Sequence, residues 1–144
     1  MKHLKKLALA IVCVMAITSL SAMAMDFDNA NVITKATSSP LDGSSLSFKI
    51  NTSSGLATYD ATVTGNTSVT KARVSSVVQK SVGGDWVSVP GTYEESTQNG
   101  RYATVKGSQY VAKGYYYRLQ TVNTVWVGST EYTETHYSSL KDYT

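Results

Sequence analysis

Beyond residue 24 the chain carries one histidine, His136, and it shares strand parity with Tyr132 and Glu134. A histidine beside a carboxylate is the smallest general-base pair, and an activated serine nearby would extend it to nucleophilic catalysis. No Gly-x-Ser-x-Gly spacing occurs, and an exposed strand holds such a pair poorly. The expected role of Tyr132, Glu134 and His136 is therefore a solvent-facing polar row. A lone histidine without cysteine partners cannot build a structural zinc site. Glu94 and Glu95 are adjacent, so on a strand they point to opposite faces and cannot act as the paired acids of glycoside hydrolysis. Asp26 and Asp28 offer oxygens to calcium, yet the segment lacks the Gly and distal Glu of a calcium loop. Gly83-Gly84 is followed by Asp85-Trp86 instead of Lys-Ser/Thr, which fits a hairpin and not a phosphate loop. The sequence thus leads to no catalytic residue, no metal ligand and no cofactor, and the expectation is that the protein is not an enzyme.

Aromatic side chains are the positive clue. Ten tyrosines and two tryptophans exceed what a small core buries, so some must stand at the surface. Tyr116, Trp126 and Tyr132 are the expected binding surface, with Tyr93 and Trp86 as further candidates; exposed aromatic rows stack on sugar rings or fill protein interfaces. The competing role is cross-strand pairing, which stabilises sheets by roughly 0.2 to 1 kcal/mol per pair. Lys71, Arg73 and Lys80 come nearest to a basic cluster, and alternation puts Lys71 and Arg73 on one solvated strand face.

These groups act in a chain whose first 24 residues resemble an export signal. Lys2, Lys5 and Lys6 precede an apolar run from Leu7 to Leu20, and Ala22-Met23-Ala24 places small residues before a cut at Met25. Three of the 13 Lys and Arg lie in that leader, which leaves ten against ten Asp and Glu. Zero net charge with scattered cations excludes nucleic acid as the expected partner. The one cysteine, Cys13, falls inside the leader's apolar run behind Ala10-Ile11-Val12, which fits neither a disulfide nor a lipid attachment site. No later stretch approaches the ~20 apolar residues of a membrane span. The 120 residues from Met25 suffice for one domain with its own core, outside the cytoplasm.

The elements that must position the side chains are strands. Residues 25–44 are polar and aperiodic, a flexible lead-in with room for one short edge strand at 31–36. The folded domain is expected over 45–144. Leu46, Phe48 and Ile50 alternate with polar residues, as do Ala57, Tyr59, Ala61 and Val63. A third strand spans 70–82, with Ala72, Val74, Ser76 and Val78 on one side. It turns at Gly83-Gly84-Asp85 into a fourth at 86–89, which continues over 92–95 past Pro90-Gly91. After a polar turn at 96–100, strands follow at 102–106, 115–127 and 131–138. About seven strands rich in Thr, Val and Tyr imply an antiparallel β-sandwich. Within the sixth, Tyr115, Tyr117 and Leu119 share the inward side while Tyr116 and Arg118 point out. An inward tyrosine there resembles the tyrosine corner of immunoglobulin-like folds.

The segments Ser76-Ser-Val-Val-Gln-Lys, Gly84-Asp-Trp86, Tyr110-Val-Ala-Lys-Gly-Tyr-Tyr-Tyr-Arg-Leu and His136-Tyr-Ser-Ser together resemble the small exported immunoglobulin-like β-sandwich proteins of Gram-positive bacteria. The resemblance covers roughly residues 46–139. It implies the fold and carries over no catalytic residue. The resulting expectation is a secreted, non-enzymatic module that contacts cell-wall glycan or protein, with a self-associating extracellular protein as the alternative.

Overall fold

In the computed structural model, which describes residues 39–144, every regular element is a β-strand. The expected leader, its cleavage site and the short strand at 31–36 lie outside the described residues. β1 (Leu41–Asn51), β2 (Leu56–Gly65) and β6 (Tyr102–Tyr110) form a three-stranded antiparallel sheet in the order β1-β2-β6, here sheet A. β3 (Lys71–Val82), β4 (Asp85–Ser88), β7 (Tyr115–Val127) and β8 (Thr130–Tyr137) form the path β4-β3-β7-β8 of sheet B. Two short strands complete it: β5 (Glu94–Asn99) pairs with β3 beyond β4, and β9 (Lys141–Tyr143) pairs with β7 beyond β8.

Among the described residues nine strands therefore replace the seven expected. β5 occupies most of the segment taken as a polar turn, because it lies at an edge where backbone pairing to Lys71–Ser76 suffices and no apolar alternation marks it. β9 is three residues long and equally silent in sequence. β1 starts at Leu41, four residues before the expected Ser45, and the exposed polar stretch Asp42–Ser45 holds its place by pairing with β2 across an irregularity between Leu41 and Gly43. β6 runs on to Tyr110 for the same reason. The third and sixth expected strands match β3 to within a residue and β7 at both ends.

The core lies between the inward faces of the two sheets and divides into two apolar groups. One gathers Val63, Val74, Val105 and Val125; the other gathers Phe48, Tyr59, Val78, Tyr117 and Leu119. Each fully buried Val or Leu contributes roughly 1.5 to 3 kcal/mol through loss of apolar surface to water. Tyr117 is buried and its hydroxyl donates to the Ala112 carbonyl, while the Tyr59 hydroxyl donates to the Thr92 carbonyl at 3.0 Å. Thr92 in turn accepts from the Val78 amide at 3.1 Å and donates to the Val89 carbonyl at 2.7 Å, which ties sheet A to the β4–β5 connection. The Tyr59 ring passes over Gly107, where a Cβ would stand 2.4 Å from ring atoms, so this position on β6 excludes any side chain. The β3–β4 hairpin turns on Gly83 and Gly84 at φ of 62° and 99°, the positive values that a two-residue turn of this type demands.

Candidate functional site

Pleating of β7 sends Tyr117, Leu119, Thr121, Asn123 and Val125 into the core and Tyr116, Arg118, Gln120, Thr124 and Trp126 onto the outer face of sheet B. On that face the Arg118 guanidinium carbon stands 4.2 Å from the centre of the Trp86 ring and 4.1 Å from that of Tyr137. Trp86 comes from β4 and Tyr137 from β8, so one arginine is clasped by rings from both flanks of the sheet. Its Nε donates to Gln79 Oε1 at 2.7 Å, and Gln79 Nε2 donates to Gln120 Oε1 at 2.7 Å. A guanidinium held in this way loses little further freedom when it meets a ligand. Tyr116 sits two residues along the same face, 49% exposed, and Tyr137 is 46% exposed.

A second cluster lies at the opposite end of β7. Lys71 Nζ is 4.4 Å and the Arg73 guanidinium carbon 5.3 Å from the Trp126 ring centre. Arg73 also pairs with Glu131 at 3.8 Å, an exposed contact worth little by itself. Ten residues of extended chain put Tyr116 about 33 Å from Trp126. Lys71 and Arg73 do share a face, as alternation implied, and that face is capped by an indole.

The three aromatics nominated from sequence therefore do not form one surface. Tyr116 is exposed beside Arg118, Trp126 is half-buried under two cations, and Tyr132 lies on the opposite side of sheet B, packed against the core. Register decides the last case: Tyr132, Glu134 and His136 pair with Val125, Asn123 and Thr121, all inward residues. The row lies on the inward side of sheet B by register, yet at the margin of this edge strand Glu134 and His136 keep the expected contact with solvent, with side chains 45% and 37% exposed, and Tyr132 alone packs against the core. His136 Nε2 approaches Glu134 Oε2 at 3.5 Å, and the other Glu134 oxygen accepts from Ser39 Oγ at 3.3 Å. The aromatics that sheet register does bring together are Trp86, Tyr116 and Tyr137 around Arg118. Parity alone grouped Tyr116 with Arg118; the partners on β4 and β8 required the register.

Tyr93 is exposed at 51%, and its hydroxyl donates to Glu95 Oε2 at 2.8 Å; burial and then this carboxylate raise its pKa above the usual tyrosine value. A shallow polar cleft of about 280 Å³ is lined by Thr52, Lys113, Asp142, Tyr143 and Thr144. Among the described residues no three His, Cys, Asp or Glu side chains gather as metal ligands, and no helix is long and apolar enough to cross a membrane. Comparisons with known protein families, with curated proteins and with solved structures found no match.

Proposed function

We propose that this chain is a secreted, non-enzymatic immunoglobulin-like domain that binds a cell-surface glycan or protein through the outer face of sheet B. The observation that carries this reading is the clasp of Arg118 between Trp86 and Tyr137, with Tyr116 exposed beside it. Oriented rings and a fixed cation on a rigid sheet offer stacking surface and hydrogen-bond donors with little ordering cost, which is what recognition of a sugar or an interface loop requires. The immunoglobulin-like assignment draws support from the strand order β1-β2-β6 and β4-β3-β7-β8, and from the Tyr117 hydroxyl bonding back to Ala112 in the manner of a tyrosine corner. Membership of the exported Gram-positive proteins rests on the sequence resemblance together with the leader. The non-enzymatic part of the proposal draws on the placement of His136 and Glu134 at the solvated margin of an edge strand, which holds a general-base pair poorly.

Retention of the purified protein by isolated cell wall is the test. Saturable retention that falls at least tenfold in Trp86→Ala/Tyr116→Ala/Tyr137→Ala, with circular dichroism unchanged, supports the reading. Retention that survives in this variant, or is lost in His136→Ala, overturns it. A second reading, self-association, is favoured by one observation: among the described residues β1 and β6 each pair on one side only, leaving two long edges on sheet A. Concentration-dependent mass without any wall component would mark that outcome.

A further inference from the structure

Three polar side chains interrupt the core at its middle. Ser76 of β3 and Thr121 and Asn123 of β7 are inward residues, exposed by 2%, 1% and 1%. On β3 Ser76 separates Val74 of one apolar group from Val78 of the other; on β7 Thr121 and Asn123 separate Val125 from Leu119. Ser76 is the direct register partner of Thr121, and Val74 that of Asn123, so the three side chains adjoin on one pleated surface. Thr121 Oγ1 makes a long bond to the His136 carbonyl at 3.5 Å. Among the described residues Ser76 Oγ and Asn123 Oδ1 have no hydrogen-bond partner.

Buried polar atoms of this kind carry the full penalty of desolvation unless something satisfies them. Sheet A does not offer a partner at this level. Ala61 and Val105 flank it on one side, and on the other the Tyr59 ring leans over Gly107 with its hydroxyl committed to Thr92. Facing backbone groups are spent in the β1–β2 and β2–β6 ladders.

We infer that this seam is an internal water site, holding at least one ordered water that donates to Asn123 Oδ1 and bonds Ser76 Oγ. Buried waters need two to four polar partners, and Ser76, Thr121 and Asn123 supply them. The path for exchange runs along the same rows to the sheet margin, where Glu134 and His136 are the β8 partners of Asn123 and Thr121 and stand half-exposed. The seam divides the core into two dry groups joined by a wet layer.

A crystal structure of the full chain tests this directly. The expected result is a density peak about 2.5 to 3.0 Å from both Ser76 Oγ and Asn123 Oδ1, together with loss of one long-lived water from the oxygen-17 relaxation of the solution in Ser76→Val, whose side chain fills the site. A dry seam, with the two atoms bonded to each other or to repacked neighbours, overturns the inference. So does a relaxation amplitude that Ser76→Val leaves unchanged. Where that variant fails to fold, the crystal of the unsubstituted chain decides.

Discussion

The outer faces of the three-stranded sheet A and the six-stranded sheet B differ in chemistry. On sheet A, Thr58, Asp60 and Thr62 of β2 lie between Ser45, Ser47 and Lys49 of β1 and Thr104, Lys106 and Ser108 of β6. Thr62 and Thr104 share a hydrogen bond at 2.8 Å, and no ring stands within the strip; Tyr102 and Tyr110 mark its two ends. On sheet B, rings alternate with cations and hold them at fixed positions. Short hydroxyls keep a face wetted and uncommitted, whereas stacked rings order a surface in advance of any ligand. The proposed recognition surface is therefore sheet B, and sheet A serves as its built-in control.

The largest expected effect sharpens the contrast between the two sides of sheet B itself. Leu119→Ala removes a fully buried side chain and is expected to cost about 2 to 5 kcal/mol in urea unfolding. Tyr116→Ala, three positions away on the outer side, is expected to change stability by no more than about 0.5 kcal/mol. Equal losses would mean that the outer aromatics hold the fold together and are not a surface in waiting. Next in size is Gly107→Ala on sheet A. The added methyl meets the Tyr59 ring, and displacing that ring strains the bond to Thr92, so a loss of roughly 1 to 3 kcal/mol is expected.

Alkaline titration probes the same two anchors. Tyr59 and Tyr117 have pKa values raised above the ordinary 10.0, each mainly by burial, with Glu94 adding to the first and Tyr115 to the second. The native chain therefore keeps both protons at pH values where the unfolded chain has begun to release them. Their contribution to stability is intact below pH 10.0 and is lost as pH rises through the raised native values. Absorbance at the tyrosinate band should show Tyr59 and Tyr117 ionising late and together with unfolding, and the exposed Tyr93, also raised, ionising late without it; early ionisation of Tyr59 and Tyr117 in folded protein would remove them from the core.

Alternation of residue type made β2, β3 and β7 legible although the middles of β3 and β7 are buried on both faces, and parity on β7 correctly separated Tyr117 and Leu119 from Tyr116 and Arg118. β5 and β9 were illegible because edge strands are held by backbone pairing, which leaves no pattern in side-chain type. The ring clasp is illegible in sequence for a related reason. Trp86, Arg118 and Tyr137 come from three strands, and which residues meet across a sheet depends on register. Register likewise sets Tyr132 opposite Val125 and turns it onto the core, whereas Glu134 and His136 of the same parity row stay in contact with solvent at the margin.

The smallest expected effect is the one that most directly tests the comparison of the outer faces. Thr62→Ala deletes one half of the exposed Thr62–Thr104 pair, a contact worth about 0.2 to 1 kcal/mol on a solvated sheet. The unfolding midpoint should move slightly, and retention by cell wall should not move at all, because nothing on this strip is oriented for a ligand. Hydroxyl rows on a flat sheet are nevertheless capable of matching a hydroxylated polymer. If Thr62→Ala weakens retention while Trp86→Ala/Tyr116→Ala/Tyr137→Ala leaves it intact, the assignment of the two faces is reversed: sheet A would be the recognition surface, and the stacked rings of sheet B would serve to brace Arg118 against its neighbours.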